Sequence, residues 1–267
     1  MLLPASYHLN VSLNNPHSFY NHLIKALNEK GFDKNNPEHW FVSCGDLLDR
    51  GPESQQCLKF VNSLERKILI RGNHEDLMED AIKRGVFYSQ DVSNGTSSSV
   101  YQLTGIYPDT LCSNKELNQL ALSLMKDNIL WNTYIKQCVN YYEIGNYIFV
   151  HGWIPTTTST LRSLNIRESY NPRWRESSAE DWDSARWLNG MSMWDKCIIE
   201  PEKTIVCGHW HSSWGHSRLH NKGPEFNTGK ETACFDPFID RGIIALDGCT
   251  AYSNQVNCIV IDIDEEN

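Results

Sequence analysis

The sequence predicts an α/β protein of one domain, because strand-like and helix-like segments alternate along it and its length suits a single fold. A chain of 267 residues can bury one substantial core. Strand–helix alternation dominates the first half, whereas the second half carries more strand and loop. No linker-like segment divides the chain, so we expect one domain over residues 1–267.

Five short apolar runs have the character of buried strands, and each leads into a residue that can bind a metal ion. The runs are rich in β-branched or aromatic residues and bounded by Gly. They are FVSC, KILI, YIFV, TIVC and IIAL, and they lead to Asp46, Asn73, His151, His209 and Asp247 respectively. Because sites in open α/β folds form beyond the carboxyl ends of strands, these five residues are predicted to converge.

Helical periodicity fills the intervals between the early runs. Ser18 is predicted to cap a helix that continues to about Lys30, and Gly51-Pro52 to open a second helix with Pro at its first position. A third helix is predicted over residues 75–84, closed by Gly85, and a fourth helical segment over residues 114–139.

Two segments, residues 153–200 and 215–237, show no clear periodicity, and we expect them to form cap or loop structures. Long aperiodic segments in a compact domain often build the lid or the wall of a site. Seven of the nine tryptophans lie beyond position 150, inside or beside these segments.

Composition narrows the class of function. The formal charge of −9 and the lack of any basic block argue against a nucleic-acid partner and against an anionic membrane surface. No apolar stretch is long enough to span a membrane, and the N-terminal residues lack the pattern of a signal peptide. Nine scattered cysteines without paired spacing are typical of reduced thiols, so we expect a cytoplasmic protein.

Asp, Asn and His side chains together suit hard and borderline divalent cations. A site for two metals needs a carboxylate that bridges them, and Asp46, placed on a Gly turn, is the natural candidate. Asn73, His151 and His209 would complete the ligands of one metal ion. His17 would share Asp46 with the other metal ion.

Four motifs, GDLLDRG, RGNHE, VHGWIP and CGHWH, resemble those of the calcineurin-like metallophosphoesterase superfamily. The similarity is to its phosphoprotein phosphatase branch, especially the small bacterial and phage members, and it covers about residues 7–265. It implies an α+β fold in which a β-sandwich is flanked by helices, with the site at the carboxyl ends of the strands. It also implies two divalent metal ions, manganese foremost with iron or zinc as alternatives, bridged by Asp46.

The resemblance implies further roles. His74 is similar to the general acid that protonates the leaving oxygen, and Asp49 to the carboxylate that orients it, a pairing that favours protonated imidazole. Arg50 resembles the arginine that binds phosphoryl oxygens. Arg186 is a second candidate for phosphate contact. His211 is similar to a first-metal ligand of the wider superfamily, with a hydrogen-bonded wall residue as the alternative.

The family's first motif, Asp-x-His-Gly, corresponds here to the stretch from Asn15 to Ser18, so the ligand His17 is kept and the carboxylate is replaced. The amide oxygen of Asn binds a metal ion without contributing a full negative charge, so we expect the first metal ion to be held more weakly. Three interpretations stay open: an enzyme whose weakened site is compensated by His211, a binding module without catalysis, or an N-terminal segment that departs from the ancestral start.

These observations predict a metal-dependent phosphoesterase that hydrolyses phosphomonoesters, of the Ser/Thr protein phosphatase type. Its partner would be a phosphorylated protein or a small phosphoester. The expected mechanism is in-line attack by a hydroxide held between two metals, with His74 giving its proton to the leaving alkoxide. The alternatives are a symmetrical dinucleoside-tetraphosphate hydrolase, which shares the motifs, and a non-catalytic module that binds phosphorylated ligands.

Overall fold

The computed structural model describes residues 6–12, 16–106, 114–160 and 166–264. Twelve strands occur in these residues. In chain order they are β1 Ser6–Ser12, β2 His39–Ser43, β3 Lys67–Ile70, β4 Cys138–Val139, β5 Tyr142–Ile144, β6 Tyr147–Phe149, β7 Thr157–Thr160, β8 Ile166–Ser169, β9 Thr204–His211, β10 Phe238–Asp240, β11 Ile243–Asp247 and β12 Cys258–Asp264. The five strand-like runs of the sequence correspond to β2, β3, β6, β9 and β11, so their prediction is confirmed.

The helices of the described residues lie mainly outside the sheets. They are α1 Tyr20–Glu29, α2 Ser54–Ser63, α3 Asn73–Arg84, α4 Ser89–Ser93, α5 Thr96–Thr104, α6 Lys115–Lys126, α7 Ile129–Ile135, α8 Ala179–Ala185, α9 Gly190–Asp195, α10 Ser212–Arg218 and α11 Thr250–Ser253, with a 3₁₀ turn at Trp174–Glu176. None of them is long and apolar enough to cross a membrane.

The strands form two five-stranded sheets and a separate hairpin. The first sheet has the order β12-β1-β2-β3-β4, and the second has the order β10-β11-β9-β6-β5. In each sheet the central strands pair in parallel, β1-β2-β3 in the first and β6-β9-β11 in the second. Strands β7 and β8 make the hairpin. Parallel strands bring their carboxyl ends to one edge, which places the polar residues that follow them together.

Three apolar clusters show the layering. One contains side chains of both sheets, including Val42, Ile70, Phe149 and Val206, and forms the interior between the sheets. A second joins the helices α1, α2, α3, α5, α6 and α7 to the first sheet. The third covers the other face of the second sheet with tryptophan-rich structure. This β-sandwich flanked by helices is the fold class that the sequence predicted.

Two predicted helix starts are wrong by a few residues, and both are displaced by the same set of long-range contacts. Ser18 does not cap α1; its hydroxyl lies 2.8 Å from the Oγ of Ser54, and its backbone is left-handed. Helix α2 begins at Ser54, so Pro52 precedes the helix instead of opening it. The turn between is tied to the loop before α1, because the N–H of Gly51 donates to the carbonyl of His17.

The other helix predictions are closer. Helix α3 ends at Gly85, which has the predicted left-handed conformation with a φ of 66°. The segment 114–139 contains two helices instead of one, since the side chain of Asn128 accepts a hydrogen bond from the N–H of Trp131 and starts α7.

The two aperiodic segments have more structure than their sequence pattern indicated. Residues 153–200 contain the β7–β8 hairpin, the 3₁₀ turn, α8 and α9, whereas residues 219–237 contain no helix or strand. Packing of large aromatic side chains organises the first segment. Trp153, Trp174 and Trp182 are all buried in the cluster on the second sheet. Aromatic packing of this kind leaves no simple period in the sequence.

Candidate metal centre

Asp46 is the centre of the site, where the carboxyl ends of the two sheets meet. Two groups of possible metal ligands share it: His17, Asp46 and His74, and Asp46, His151 and His209. Its Oδ2 lies 3.3 Å from the Nε2 of His151 and 4.0 Å from the Nε2 of both His17 and His74. Burial alone would raise the pKa of Asp46, but the imidazoles around it hold that pKa well below its ordinary value.

His17 presents a free ring nitrogen to this carboxylate. Its Nδ1 donates to the carbonyl of Leu48 at 3.0 Å, which leaves the lone pair on Nε2. That Nε2 is buried and has no hydrogen-bond partner among the described residues. A buried, unpartnered nitrogen 4.0 Å from a carboxylate oxygen is the arrangement expected of two atoms that bind the same cation.

His151 and Asn73 make a second such arrangement. The Nδ1 of His151 donates to the carbonyl of Cys44 at 2.6 Å, and its Nε2 lies 2.8 Å from the Oδ1 of Asn73. The Nε2 of His151 therefore faces two oxygens, one from Asn73 and one from Asp46. Burial would lower the pKa of His151, but Asp46 and the carbonyl of Cys44 raise it overall, so in the absence of a metal this nitrogen can hold a proton between the oxygens. A divalent cation among these atoms would stabilise all three. The described residues thus fit two divalent metal ions that share Asp46.

His209 completes the second group from strand β9. Its ring centroid lies 5.1 Å from that of His151. Burial and the neighbouring His151 lower its pKa to about 3, so it offers a neutral nitrogen, as a metal ligand must. A hydrogen bond to the backbone of Trp187 orients the imidazole.

The loops that carry these ligands have unusual backbone conformations. Positive φ angles occur at His17 (43°), Asp46 (50°), Asp49 (75°), Arg50 (62°) and His209 (65°). Side chains other than Gly rarely adopt this region, and such residues gather at functional sites where the surrounding structure enforces them. The strain here falls on predicted site residues.

Two glycines allow the loops to approach each other. A Cβ at Gly72 would lie 2.2 Å from the Oδ1 of Asp46, and one at Gly45 would lie 2.7 Å from the Nδ1 of His151. Both contacts are too short for any side chain. The glycines after the strand-like runs are therefore required by the packing of one ligand loop on another.

Glu75 holds the Asp46 loop and the start of α3 together, a role that sequence analysis missed. Its Oε2 accepts from the N–H groups of Gly72 (2.8 Å) and Asp46 (2.9 Å). Its Oε1 accepts from the N–H of Leu47 and the hydroxyl of Tyr134. Glu three residues after a helix start is a capping signal, and RGNHE contained it. The second set of bonds, to the neighbouring loop, depends on tertiary structure.

His74 and Asp49 form the predicted pair. The Nδ1 of His74 lies 2.7 Å from the Oδ2 of Asp49, and both side chains are buried. The hydroxyl of Thr96 donates to the same oxygen, and the N–H of Asp49 donates to Ser99. Burial would lower the pKa of His74, but Asp46 and Asp49 raise it overall. Thr96 and Ser99 were missed, because nothing in the sequence relates helix α5 to the site.

Arg50 and Arg186, the two residues predicted to contact phosphate, have different surroundings. Arg50 is exposed, and its Nη2 lies 3.3 Å from the Nε2 of His74, beside the metal centre. Arg186 is buried, and its guanidinium donates to Asp76, Asn140 and Asp183. The structure therefore brings Arg50 to the site, whereas three oxygen acceptors already engage Arg186.

His211 does not join either group of ligands. Its Nδ1 lies 2.8 Å from the Oγ of Ser213, and its Nε2 lies 3.5 Å from the Oε1 of Glu225. Asn15 lies outside the described residues, so its relation to His17 stays a prediction. Asp247, at the end of β11, is buried near Asp46, and burial with that neighbouring charge raises its pKa to about 6.

The sequence pattern of the calcineurin-like phosphoesterase family matches residues 14–228, which is most of the chain. The chain belongs to the calcineurin-like phosphoesterase family. The candidate metal ligands around Asp46 all lie within the matched residues.

Curated relatives carry two different names. The symmetrical bis(5′-nucleosyl)-tetraphosphatase of Proteus mirabilis is 42% identical over 60 residues, which is 22% of this chain and 21% of that protein. Serine/threonine-protein phosphatase 1 of Salmonella typhimurium is 40% identical over 65 residues, 24% of this chain and 29% of that protein. The matched part thus spans under a third of either relative.

A solved structure of a cold-active protein tyrosine phosphatase is similar in fold. Its TM-score is 0.51 at 14% identity, and the likeness covers 97% of this chain and 76% of that one. At this identity the likeness concerns the fold alone.

Proposed function

We propose that the chain hydrolyses phosphomonoesters with two divalent metal ions held around Asp46. The observation that carries this proposal is the convergence of imidazole and amide groups on that one buried carboxylate, with the unpartnered Nε2 of His17 among them. Structural histidines in a core ordinarily have both nitrogens satisfied. Unpartnered ring nitrogens also occur at His22, His216 and His220, so it is the position of this one beside the Asp46 carboxylate that supports a metal ligand.

The proposed metals are manganese first, with iron or zinc as alternatives, since His, Asp and Asn ligands suit all three. On binding they would supply positive charge for the phosphoryl oxygens and a water molecule of lowered pKa. His17, Asp46, Asn73, His151 and His209 would hold them. His211 would add a ligand only after leaving Ser213 and Glu225.

The protein's own groups would handle the phosphate and the proton. Arg50 has no carboxylate within ion-pair distance among the described residues, so its guanidinium can turn to a phosphoryl group. His74 then keeps its bond to Asp49 and has Nε2 free to hold the proton that the leaving oxygen needs. The raised pKa of His74 supports this role as a general acid.

Two substrate classes compete. The motifs GDLLDRG and RGNHE favour a phosphorylated protein of the Ser/Thr type, and the Salmonella relative carries that name. The Proteus relative is named for dinucleoside tetraphosphates, and the exposed aromatic residues beside His209 favour a substrate with bases. The eight free cysteines of the described residues support a reducing, cytoplasmic location.

The rate of p-nitrophenyl phosphate hydrolysis during a manganese titration, with a chelator control, tests this proposal. We expect saturable turnover that the chelator abolishes. Asp46→Asn should lower both the rate and the manganese affinity by more than about 100-fold, since even outer partners of metal ligands are worth 10–100-fold. Asp127→Asn, at an exposed carboxylate, is the matched control. Turnover that ignores the chelator would contradict the proposal.

The role of Asn15 needs a separate variant. Asn15→Asp restores the family's first-motif carboxylate, so we expect a lower manganese midpoint and a higher rate if the chain is an enzyme with a weakened first site. Absence of turnover in both forms, with phosphate ester binding retained, would favour the non-catalytic module.

A further inference from the structure

Two tryptophans stand apart from the other seven. Trp187 is 51% exposed and Trp210 is 36% exposed, whereas the remaining tryptophans are buried or half-buried. Large indoles usually lie inside proteins or at sites of recognition, because exposing them forfeits the free energy of burial. Both exposed tryptophans lie beside the metal-ligand candidate His209.

The contacts with His209 are direct. The ring of Trp187 lies 5.7 Å from the imidazole at an interplanar angle of 84°, and the ring of Trp210 lies 6.5 Å away at 72°. Both are edge-to-face arrangements. The bond from the imidazole to the backbone of Trp187 ties that tryptophan to the ligand as well.

A bulge in strand β9 accounts for the position of Trp210. Cys207 pairs with Ala245, but the next pair joins His211 to Asp247, so β9 advances four residues while β11 advances two. His209 takes up the excess with its φ of 65°. Bulges re-aim side chains near active sites, and this one leaves Trp210 exposed at the edge of the site.

The aromatic surface continues past Trp210. His211 packs against Phe226 at 4.8 Å, and Phe226 against Tyr252 at 5.3 Å. Phe226 and Tyr252 are 43% and 46% exposed. We call the surface made by Trp187, Trp210, Phe226 and Tyr252 the aromatic rim. It extends further than a single phenyl ring could cover.

Polar groups lie within the rim. The imidazole of His211 and the carboxylate of Glu225 are 3.5 Å apart, and both side chains retain some exposure. Nucleobases have hydrogen-bonding edges as well as faces, whereas the ring of an esterified tyrosine has only C–H edges. The Nδ1 of His211 donates to the hydroxyl of Ser213, which itself donates to the carbonyl of Glu225, so the Nε2 of His211 is left as an acceptor beside the Glu225 carboxylate. Exposed ring faces with acceptors beside them suit a base that carries an amino group better than a phenyl ring.

We propose that the aromatic rim binds the nucleobase of a nucleoside 5′-polyphosphate whose phosphates occupy the metal centre. This inference rests on the proposed hydrolase function and chooses between its two substrate classes. Trp187 and Trp210 stack the base, and His211 with Glu225 meet its polar edge. The phosphates extend from the rim toward Asp46 and Arg50, because His209 contacts the rim and is itself a candidate ligand of the metal centre.

The test compares substrates with and without a base on the full chain with manganese. Trp187→Ala and Trp210→Ala should each raise KM for bis(adenosyl) tetraphosphate about 5- to 100-fold, the range of base stacking by alanine substitution. Hydrolysis of glycerol 2-phosphate, which has no ring, should be affected much less, so the ratio of the two kcat/KM values should change. Trp→Phe at either position should restore most of the affinity.

Leu120→Ala removes an equally exposed apolar side chain, 51% exposed, from helix α6 and should change nothing. Equal effects on both substrates, or no effect on either, would overturn the proposal. Selective loss with a phosphotyrosine peptide, and none with the nucleotide, would overturn it in favour of a phenyl ring.

A binding measurement separates this proposal from the proposed function. ADP should quench tryptophan fluorescence in the wild-type chain, and less in Trp210→Phe, whether or not any phosphoester is hydrolysed. Quenching without turnover of any phosphoester would contradict the hydrolase function and support base binding at the aromatic rim. Turnover of glycerol 2-phosphate without quenching would contradict base binding at the rim and support the hydrolase function.

Discussion

The two sheets build their halves of the metal centre in different ways. The first sheet supplies Asp46, Asp49 and His74 on short motifs that lead directly into helices, and one carboxylate, Glu75, bonds the loops to each other. The second sheet supplies His151 and His209 from strand ends, with exposed aromatic side chains around the second of these. The first half is buried and hydrogen-bonded, whereas the second combines a buried His151 with exposed aromatic side chains around His209.

We propose that the first half carries out the chemistry and that the second half selects the substrate. Groups that handle protons and metals need fixed geometry, which buried hydrogen bonds provide. Groups that choose a substrate need exposed surface, and loops or strand bulges can vary it without disturbing the fold. We therefore expect changes in the first half to affect rate and metal affinity for every substrate, and changes in the second to affect substrates unequally.

The largest expected effect among the predictions below belongs to the proton donor of the first half. His74→Asn should lower kcat about 10²–10⁴-fold, the usual worth of a general acid. Asp49→Asn alone should lower kcat by a smaller factor. In a chain that already carries His74→Asn it should lower kcat no further, because Asp49 acts through the imidazole. The measurement is a double-mutant cycle on kcat with a phosphomonoester.

The same variants distinguish a role of His74 as general acid from a role as metal ligand. His74 also stands near Asp46 and His17, where it could bind a metal. Manganese affinity unchanged in His74→Asn would support the acid role, and a loss of affinity that matches the loss of rate would contradict it.

Glu75→Gln tests whether the first half depends on its buried carboxylate. In this variant the side-chain amide nitrogen would replace one carboxylate oxygen of Glu75. The backbone N–H groups that now donate to that oxygen would then lose their acceptor. We expect manganese affinity to fall about 10–100-fold and the free energy of unfolding to fall by about 1–3 kcal/mol. Calorimetry and thermal melts measure these.

Tyr134→Phe is the matched control for that variant, since it removes only one of the four bonds to Glu75. Unchanged metal affinity in Glu75→Gln would show that the ligand loops hold their geometry without it.

Arg186 connects the two halves and tests whether they depend on each other. It joins Asp76 of α3 to Asp183 of α8, from which the chain continues to Trp187. Arg186→Gln should lower the free energy of unfolding by about 1–3 kcal/mol with little change in KM, since its acceptors lose charged donors. Unchanged stability with a raised KM would instead restore its predicted phosphate contact.

The smallest expected effect is an acid-sensitive contact within the second half. A hydrogen bond from Arg175 lowers the pKa of Glu143. Burial would raise the pKa of Glu200, but Tyr170, Trp174 and Arg175 lower it overall. Because both pKa values are lower in the folded chain, their contribution is present above about pH 4.5 and is lost as the pH falls through the folded values.

Partly exposed ion pairs of this kind are worth about 0–1 kcal/mol. We expect the 3₁₀ turn at Trp174 to loosen in acid, seen as a fluorescence change that is absent in Trp174→Phe. Arg175→Gln should lose the pH dependence of this change. A transition that persists unaltered in Arg175→Gln would place its origin elsewhere.

Motifs predicted the candidate ligands of both halves, and less of the contacts that hold them. Strand-like runs ending in Asp46, Asn73 and His151 were recognisable because buried strands and glycine turns leave local signatures. The starts of the helices near Ser18 and Pro52 were not predicted correctly, because long-range hydrogen bonds compete with local capping there. The partners of Arg186 were equally invisible, since they lie on three separate segments.

The sequence by itself determined the fold class, the order of the candidate ligands and the family, because these depend on periodicity and on short motifs. Only the tertiary structure decided that Glu75 joins two loops, that Thr96 supports Asp49, and that Trp187 and Trp210 meet at His209. These contacts join residues far apart in the chain, and their energies arise from packing and buried hydrogen bonds that exist only once the sheets are assembled.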